Sequence, residues 1–175
     1  MSGYRLDLPA ARERLRELHV GDLVTLYGVI HTMRDAGHQR ALDYLTKNGE
    51  LPFNLAGQAL FYAGPTPAKA GRPFGAIGPT TASRMDFATP QLLAAGITVM
   101  LGKGNRSPEV VRACAATCSI YLATTGGAAA YLAGFVTGAE PIAWEDLGTE
   151  ALQRLILNGM PAVVAIDTWG ADLYG

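Results

Sequence analysis

Four short segments hold the residues able to do chemistry: "HTMRDAGH" at 31–38, "GPTTASR" at 78–84, "GKGNRS" at 102–107 and "TTGGAAA" at 124–130. They supply the cations Arg34, Arg84, Lys103 and Arg106 and the hydroxyls of Thr80, Thr81 and Thr124. Gly102, Gly104, Gly126 and Gly127 add open backbone amides. Guanidinium and ammonium groups beside glycine loops suit the capture of carboxylates or phosphates, so the chemistry indicated is that of an anion site. The spacing of a nucleotide-binding P-loop is absent, and "GKG" alone is only superficially like one.

Each residue also has a plainer reading. Arg34 with Asp35 balances charge at a helix start, where the macrodipole favours an aspartate. His38, one turn on, either orients Arg34 or is a satisfied core histidine. Arg106 either reaches a bound ligand or is a solvated side chain at a helix start. Gly78-Pro79 is turn chemistry, and "TTGG" allows tight helix-strand packing. The acidic "WEDLG" at 144–148 reads as a solvated connection.

Positioning these segments requires strands that end where helices begin. "DLVTLYGVIHT" is β-branched and aromatic and reads as a strand, followed by a helix over "RDAGHQRALDYLTKNG" that stops on Asn48-Gly49. "QALFYAGP" reads as a second strand and "TPAKAGRP" as a turn-rich loop. Thr89 with Pro90, and Ser107 with Pro108, read as N-caps with proline at the first helical position. "ITVMLGKG", "SIYLATTGG" and "AVVAIDTWG" are apolar strands, and "AAAYLAGFV" is a small-residue helix. The charged N-terminus "MSGYRLDLPAARERLRELHVGD" is helical in pattern. Strand, glycine loop and helix in alternation predict an α/β fold with parallel strands in its second half and a more β-rich first half. Ligands of such folds gather at the carboxyl ends of the strands.

The length of 175 residues with 49% hydrophobic content suits one domain spanning 1–175. A net charge of -1 argues against nucleic acid or an acidic membrane as partner, so any anion is held locally. No apolar run reaches the roughly 18 residues of a membrane span, and no signal-peptide core opens the chain, so a cytoplasmic protein is expected. Cys114 and Cys118, four apart on the predicted helix, share a face and read as buried small side chains with no metal.

Taken together, "GDLVTLYGVIHTMRDAGHQR", "YAGP", "GPTTASRMD", "GKGNRS", "WEDLG" and "VVAIDTWGADLY" resemble the β subunit of class I fumarases and of L(+)-tartrate dehydratases, equivalent to the C-terminal domain of single-chain class I fumarases. The resemblance implies a swivelling β/β/α domain and a hydro-lyase, of fumarate hydratase type, active only with an α subunit. It implies a 4Fe-4S cluster held by that α subunit and none bound by this chain, whose two cysteines are too few for one. It further implies an α2β2 assembly of two α and two β subunits, with a homodimer possible when alone. The reaction implied is reversible hydration of fumarate to (S)-malate, the cluster iron acting as Lewis acid on the substrate's oxygens. Tartrate dehydration is the alternative within the family. A dicarboxylate-binding module without catalysis is the alternative outside it, and a purely structural partner a third. By motif, Thr80 matches the catalytic base, and Arg34, Arg84 and Lys103 match carboxylate binders. His38, Thr81 and the four glycines Gly102, Gly104, Gly126 and Gly127 support them. Gly37, Asn105, Arg106 and Trp169 depart from the common pattern, and Arg106 is expected to reach the substrate and tune its choice.

Overall fold

The computed structural model describes residues 3–68, 70–71 and 75–175. One long strand, β2 (Leu23–Thr32), organises it. On one side the first half of β2 pairs in parallel with β1 (Tyr4–Leu8), and its last two residues pair with β3 (Ala59–Phe61). On the other side β2 runs antiparallel to β7 (Leu152–Ile166) along its whole length. From β3 the sheet continues in parallel to β4 (Val99–Gly102) and β5 (Ile120–Ala123), and β5 meets the far end of β7 antiparallel. Strands β2, β3, β4, β5 and β7 therefore close into a barrel-like ring, with β6 (Val136–Ala143) attached to the first half of β7.

Strands β3, β4 and β5 are buried at every residue, which is why they read as continuous apolar runs rather than alternating ones. Phe61, Leu101 and Leu122 fill the ring with Leu26 and Ile30. Their neighbours Leu60, Met100 and Tyr121 face the helices, packing with Met85, Leu92, Val110 and Cys114. After the short α1 (Arg12–Leu15), three crossovers cover this outer face: α2 (Asp35–Asn48), α3 (Thr89–Ala94) and α4 (Pro108–Thr117). Parallel neighbours need connections of this length, and helices supply them. Helix α2 ends on Gly49 at φ 78°, and the Ser107 side chain accepts the Val110 amide to cap α4, both as the sequence predicts.

Six expectations need correction. Residues 4–8 form a strand because Leu6 and Leu8 alternate with polar neighbours and bury against β2. The parallel pairs run through β1 to β5, whereas β6 and β7 in the second half are antiparallel. The second half is also the more strand-rich, because β7 is 15 residues long and follows β6. Ala88 is the N-cap of α3, while the Thr89 hydroxyl donates back to the Met85 carbonyl. Cys118 lies past the end of α4 in the left-handed conformation, so it does not share a helix face with Cys114. "AAAYLAGFV" keeps only the four-residue α5 (Ala129–Leu132) and a 3-10 turn before β6. "TPAKAGRP" falls partly outside the described residues.

Candidate functional site

Because β2, β3, β4 and β5 point the same way, their carboxyl ends share one edge of the barrel. All four chemistry-bearing segments emerge there. Arg34 is the N-cap of α2 in an extended conformation, and Asp35 is the first helical residue. The stem of Arg34 lies over Gly64, where a Cβ would fall 2.7 Å from its Cδ. Its Nη2 is 4.0 Å from Glu150 Oε1, and the other Glu150 oxygen accepts the Ala36 amide at 2.6 Å. Glu150 thus serves the helix N-terminus that Arg34, lacking a side-chain acceptor, leaves uncapped.

Thr80 is half-buried, and its amide donates to the Tyr62 carbonyl at 2.7 Å, directly beyond β3. Thr81 is exposed and sits in parallel register with Lys103, whose carbonyl accepts the Ala82 amide at 2.9 Å. The 3-10 turn Ala82–Met85 then carries Arg84, which is half-exposed and donates from Nε to Asp35 Oδ1 at 2.9 Å. Those two contacts join the segments after β2, β3 and β4. The segment after β5 joins through Gly126, where a Cβ would stand 3.1 Å from Lys103 Cδ, so the missing side chain leaves room for the lysine. Gly102 is similarly tight, because a Cβ there would press on Ala82 and Tyr62 at 3.0 Å. Gly104 and Gly127 have φ 82° and 76°, a region that favours glycine. Thr124 does not face the site in this way: its hydroxyl donates to the Pro161 carbonyl.

His38 is wholly buried, with its ring 5.2 Å from that of Tyr62. Its Nδ1 lies 2.8 Å from the Arg34 carbonyl. A carbonyl only accepts, so Nδ1 carries the proton and Nε2 is the bare nitrogen, unpaired among the described residues. Burial lowers the pKa from 6.5 to about 4, against the bond to Arg34, so the ring is neutral at physiological pH. The arrangement holds the Arg34 backbone and leaves the ring a weak base.

Arg106 departs from expectation. Its side chain has no exposure and so reaches no ligand on this edge. Nε donates to Asp86 at 2.7 Å and Nη2 to Thr89 at 2.7 Å, and the guanidinium carbon is 4.9 Å from the ring centres of both Tyr62 and Tyr121. A buried arginine needs such pairing, and that pairing comes from residues distant in the chain. Sequence reasoning missed Tyr62, Gly64, Asp86 and Glu150. Only "YAGP" and the aspartate of "ASRMD" carried a local trace of the first three.

The edge thus carries the Arg84–Asp35 and Arg34–Glu150 pairs together with Lys103 on the neighbouring loop. An iron-sulfur cluster does not fit the cysteines of this chain. The Cys114 thiol is buried and pushed up to about 12, and Cys118 Sγ is 3.2 Å from Arg16 Nη2. Among the described residues no three His, Cys, Asp or Glu side chains come together as a metal set. Among the same residues, no helix is long and apolar enough to cross a membrane.

The family described as "Fumarase C-terminus" matches residues 2–175. The anaerobic class I fumarate hydratase of Escherichia coli (strain K12) is 36% identical over 163 residues, covering 92% of this chain and 30% of that protein. The mitochondrial fumarate hydratase 1 of Leishmania major is 36% identical over 169 residues, covering 95% and 31%. A Methanocaldococcus jannaschii protein provisionally named L(+)-tartrate dehydratase subunit beta is 33% identical over 169 residues, covering 93% of this chain and 87% of that one. The chain spans about three-tenths of the length of the two fumarate hydratases. With a family match over residues 2–175 and a barrel-like α/β fold, this chain belongs to the Fumarase C-terminus family.

Proposed function

We propose that this chain is the β-subunit half of an iron-sulfur hydro-lyase that interconverts fumarate and (S)-malate. In this reading a partner α subunit holds the 4Fe-4S cluster, the assembly is α2β2, and the domain swivels to close over the substrate. The observation that carries the reading is the joining of Arg84 to Asp35 and of Thr81 to Lys103 on one sheet edge in a chain of this family.

The roles follow from the side chains. Arg34 and Arg84 bind substrate carboxylate, the guanidinium fork matching the two oxygens, while Lys103 adds a point charge. In the dehydration direction a proton leaves carbon for a base, and hydroxide leaves the neighbouring carbon. Thr80 is the base. An alcohol is protonated at neutral pH, so Thr80 needs cations to stabilise its oxyanion: Arg84 lies on its own segment and Lys103 on the segment bonded directly to it. Neutral His38 fixes the Arg34 backbone and takes no proton from substrate.

A second reading, tartrate dehydration, is favoured by one finding: the provisionally named tartrate dehydratase β subunit is matched over 87% of its own length. The test is co-expression with a cysteine-bearing α subunit under anaerobic conditions, followed by assay of fumarate, (S)-malate and L(+)-tartrate. Preferred turnover of fumarate and malate supports the first reading, and preferred turnover of tartrate supports the second. A cluster-loaded complex that binds these diacids without turnover would leave only a binding module.

A further inference from the structure

We propose that Arg106 is a positioning residue that holds the Thr80–Arg84 segment and the Lys103 segment in fixed relation, although it touches neither the substrate site nor solvent. The inference rests on the site reading given above. Its ground is the set of bonds made by one guanidinium. Arg106 lies three residues after Lys103. Its Nε donates to Asp86 Oδ1 at 2.7 Å, two residues after Arg84, and the second Asp86 oxygen accepts the Ser107 amide at 2.7 Å. Asp86 therefore bridges side chain and backbone of the Lys103 segment. Nη2 donates to Thr89 Oγ1 at 2.7 Å, and Thr89 in turn donates to the Met85 carbonyl, which closes the 3-10 turn bearing Arg84. The Tyr62 hydroxyl lies 3.4 Å from both terminal nitrogens, and the Tyr62 carbonyl holds the Thr80 amide.

One fork thus reaches the end of β3, the turn after it and the loop after β4. The contacts are directional, because a planar guanidinium presents its donors in a fixed fan, and they are sealed between two tyrosine rings. Lysine keeps the charge and loses the fan. A substrate clamp built from Arg84 and Lys103 depends on the spacing of these two segments, and misplacement by an ångström can cost on the order of a hundredfold in rate.

The test uses the full chain with Arg106→Lys and, as a milder change that keeps the buried ion pair, Thr89→Val. Backbone amide NMR is expected to show Thr80, Arg84 and Lys103 shifting in both variants, with the interior strand residues Leu6 and Ile120 unmoved. A folded Thr89→Val variant whose Thr80, Arg84 and Lys103 amides coincide with wild type overturns the proposal, and it decides the matter even if Arg106→Lys fails to fold. In the assembled enzyme, Arg106→Lys is expected to raise KM for the diacid by about tenfold and, because Thr80 moves with the same segment, to lower kcat as well. A fall in kcat at unchanged KM, as from a smaller folded fraction, counts against it. If the wild-type assembly turns over no diacid, the functional reading fails and the amide shifts still decide the positioning role.

Discussion

His38 offers a test that needs no partner subunit. The ring is fully buried between α2 and the sheet, beside Tyr62, with Arg106 lowering and Asp35 raising its affinity for a proton. In the unfolded chain the imidazole takes up a proton near pH 6.5, and in the folded chain burial delays this to about 4. Between those values the unfolded state binds more protons, so acid favours unfolding. The contribution is fully present above pH 6.5 and is lost as pH falls to about 4. At about 1.4 kcal/mol per pKa unit the loss is roughly 3 kcal/mol. Urea unfolding of wild type and His38→Asn, which keeps a donor near the Arg34 carbonyl, measures it across this range. The buried His31 and the carboxylates are common to both proteins and cancel in the difference. The wild-type advantage at pH 7 is expected to shrink by roughly 3 kcal/mol at pH 4. A difference between the two proteins that does not change with pH would refute the neutral, buried assignment.

Gly64→Ala is expected to destabilise the fold by about 1–3 kcal/mol, because the new Cβ would sit 2.5 Å from the Thr149 carbonyl oxygen and 2.7 Å from Arg34 Cδ. Denaturant midpoints check the stability, and a KM increase in the assembled enzyme checks the displacement of Arg34. Arg84→Gln removes a half-exposed ion pair, so stability is expected to stay within about 1 kcal/mol of wild type while diacid KM rises at least tenfold, to order of magnitude. A melting curve with one set of rate measurements separates those two effects.

The elements legible in the sequence were those whose signals are local. The β-branched run of β2, the stop at Gly49 and the Ser107-Pro108 cap each act within a few residues, and each held. The strand at 4–8 was obscured because its alternation covers only five residues and runs into the charged α1. β6 was hidden by its glycine and proline, and it gains its strand character from pairing with β7. The direction of β7 is set by β2, more than a hundred residues away, and no local pattern encodes it. At the site, parallel strands ending together made the cluster of segments legible before any geometry was known. Arg106 was not, because its burial depends on Asp86, Thr89 and Tyr62, which lie 20, 17 and 44 residues away. The Glu150 contact with Ala36 spans 114 residues and was equally silent.

The central claim is that Thr80 and its neighbouring cations do chemistry on a C4 diacid. The most direct measurement is the initial rate of fumarate hydration by the anaerobic, cluster-loaded assembly carrying either wild-type chain or Thr80→Ala. The account predicts wild-type turnover and a loss of about a hundredfold or more in kcat for Thr80→Ala, with KM little changed, as expected when a general base is removed. Full activity in the Thr80→Ala assembly would contradict it.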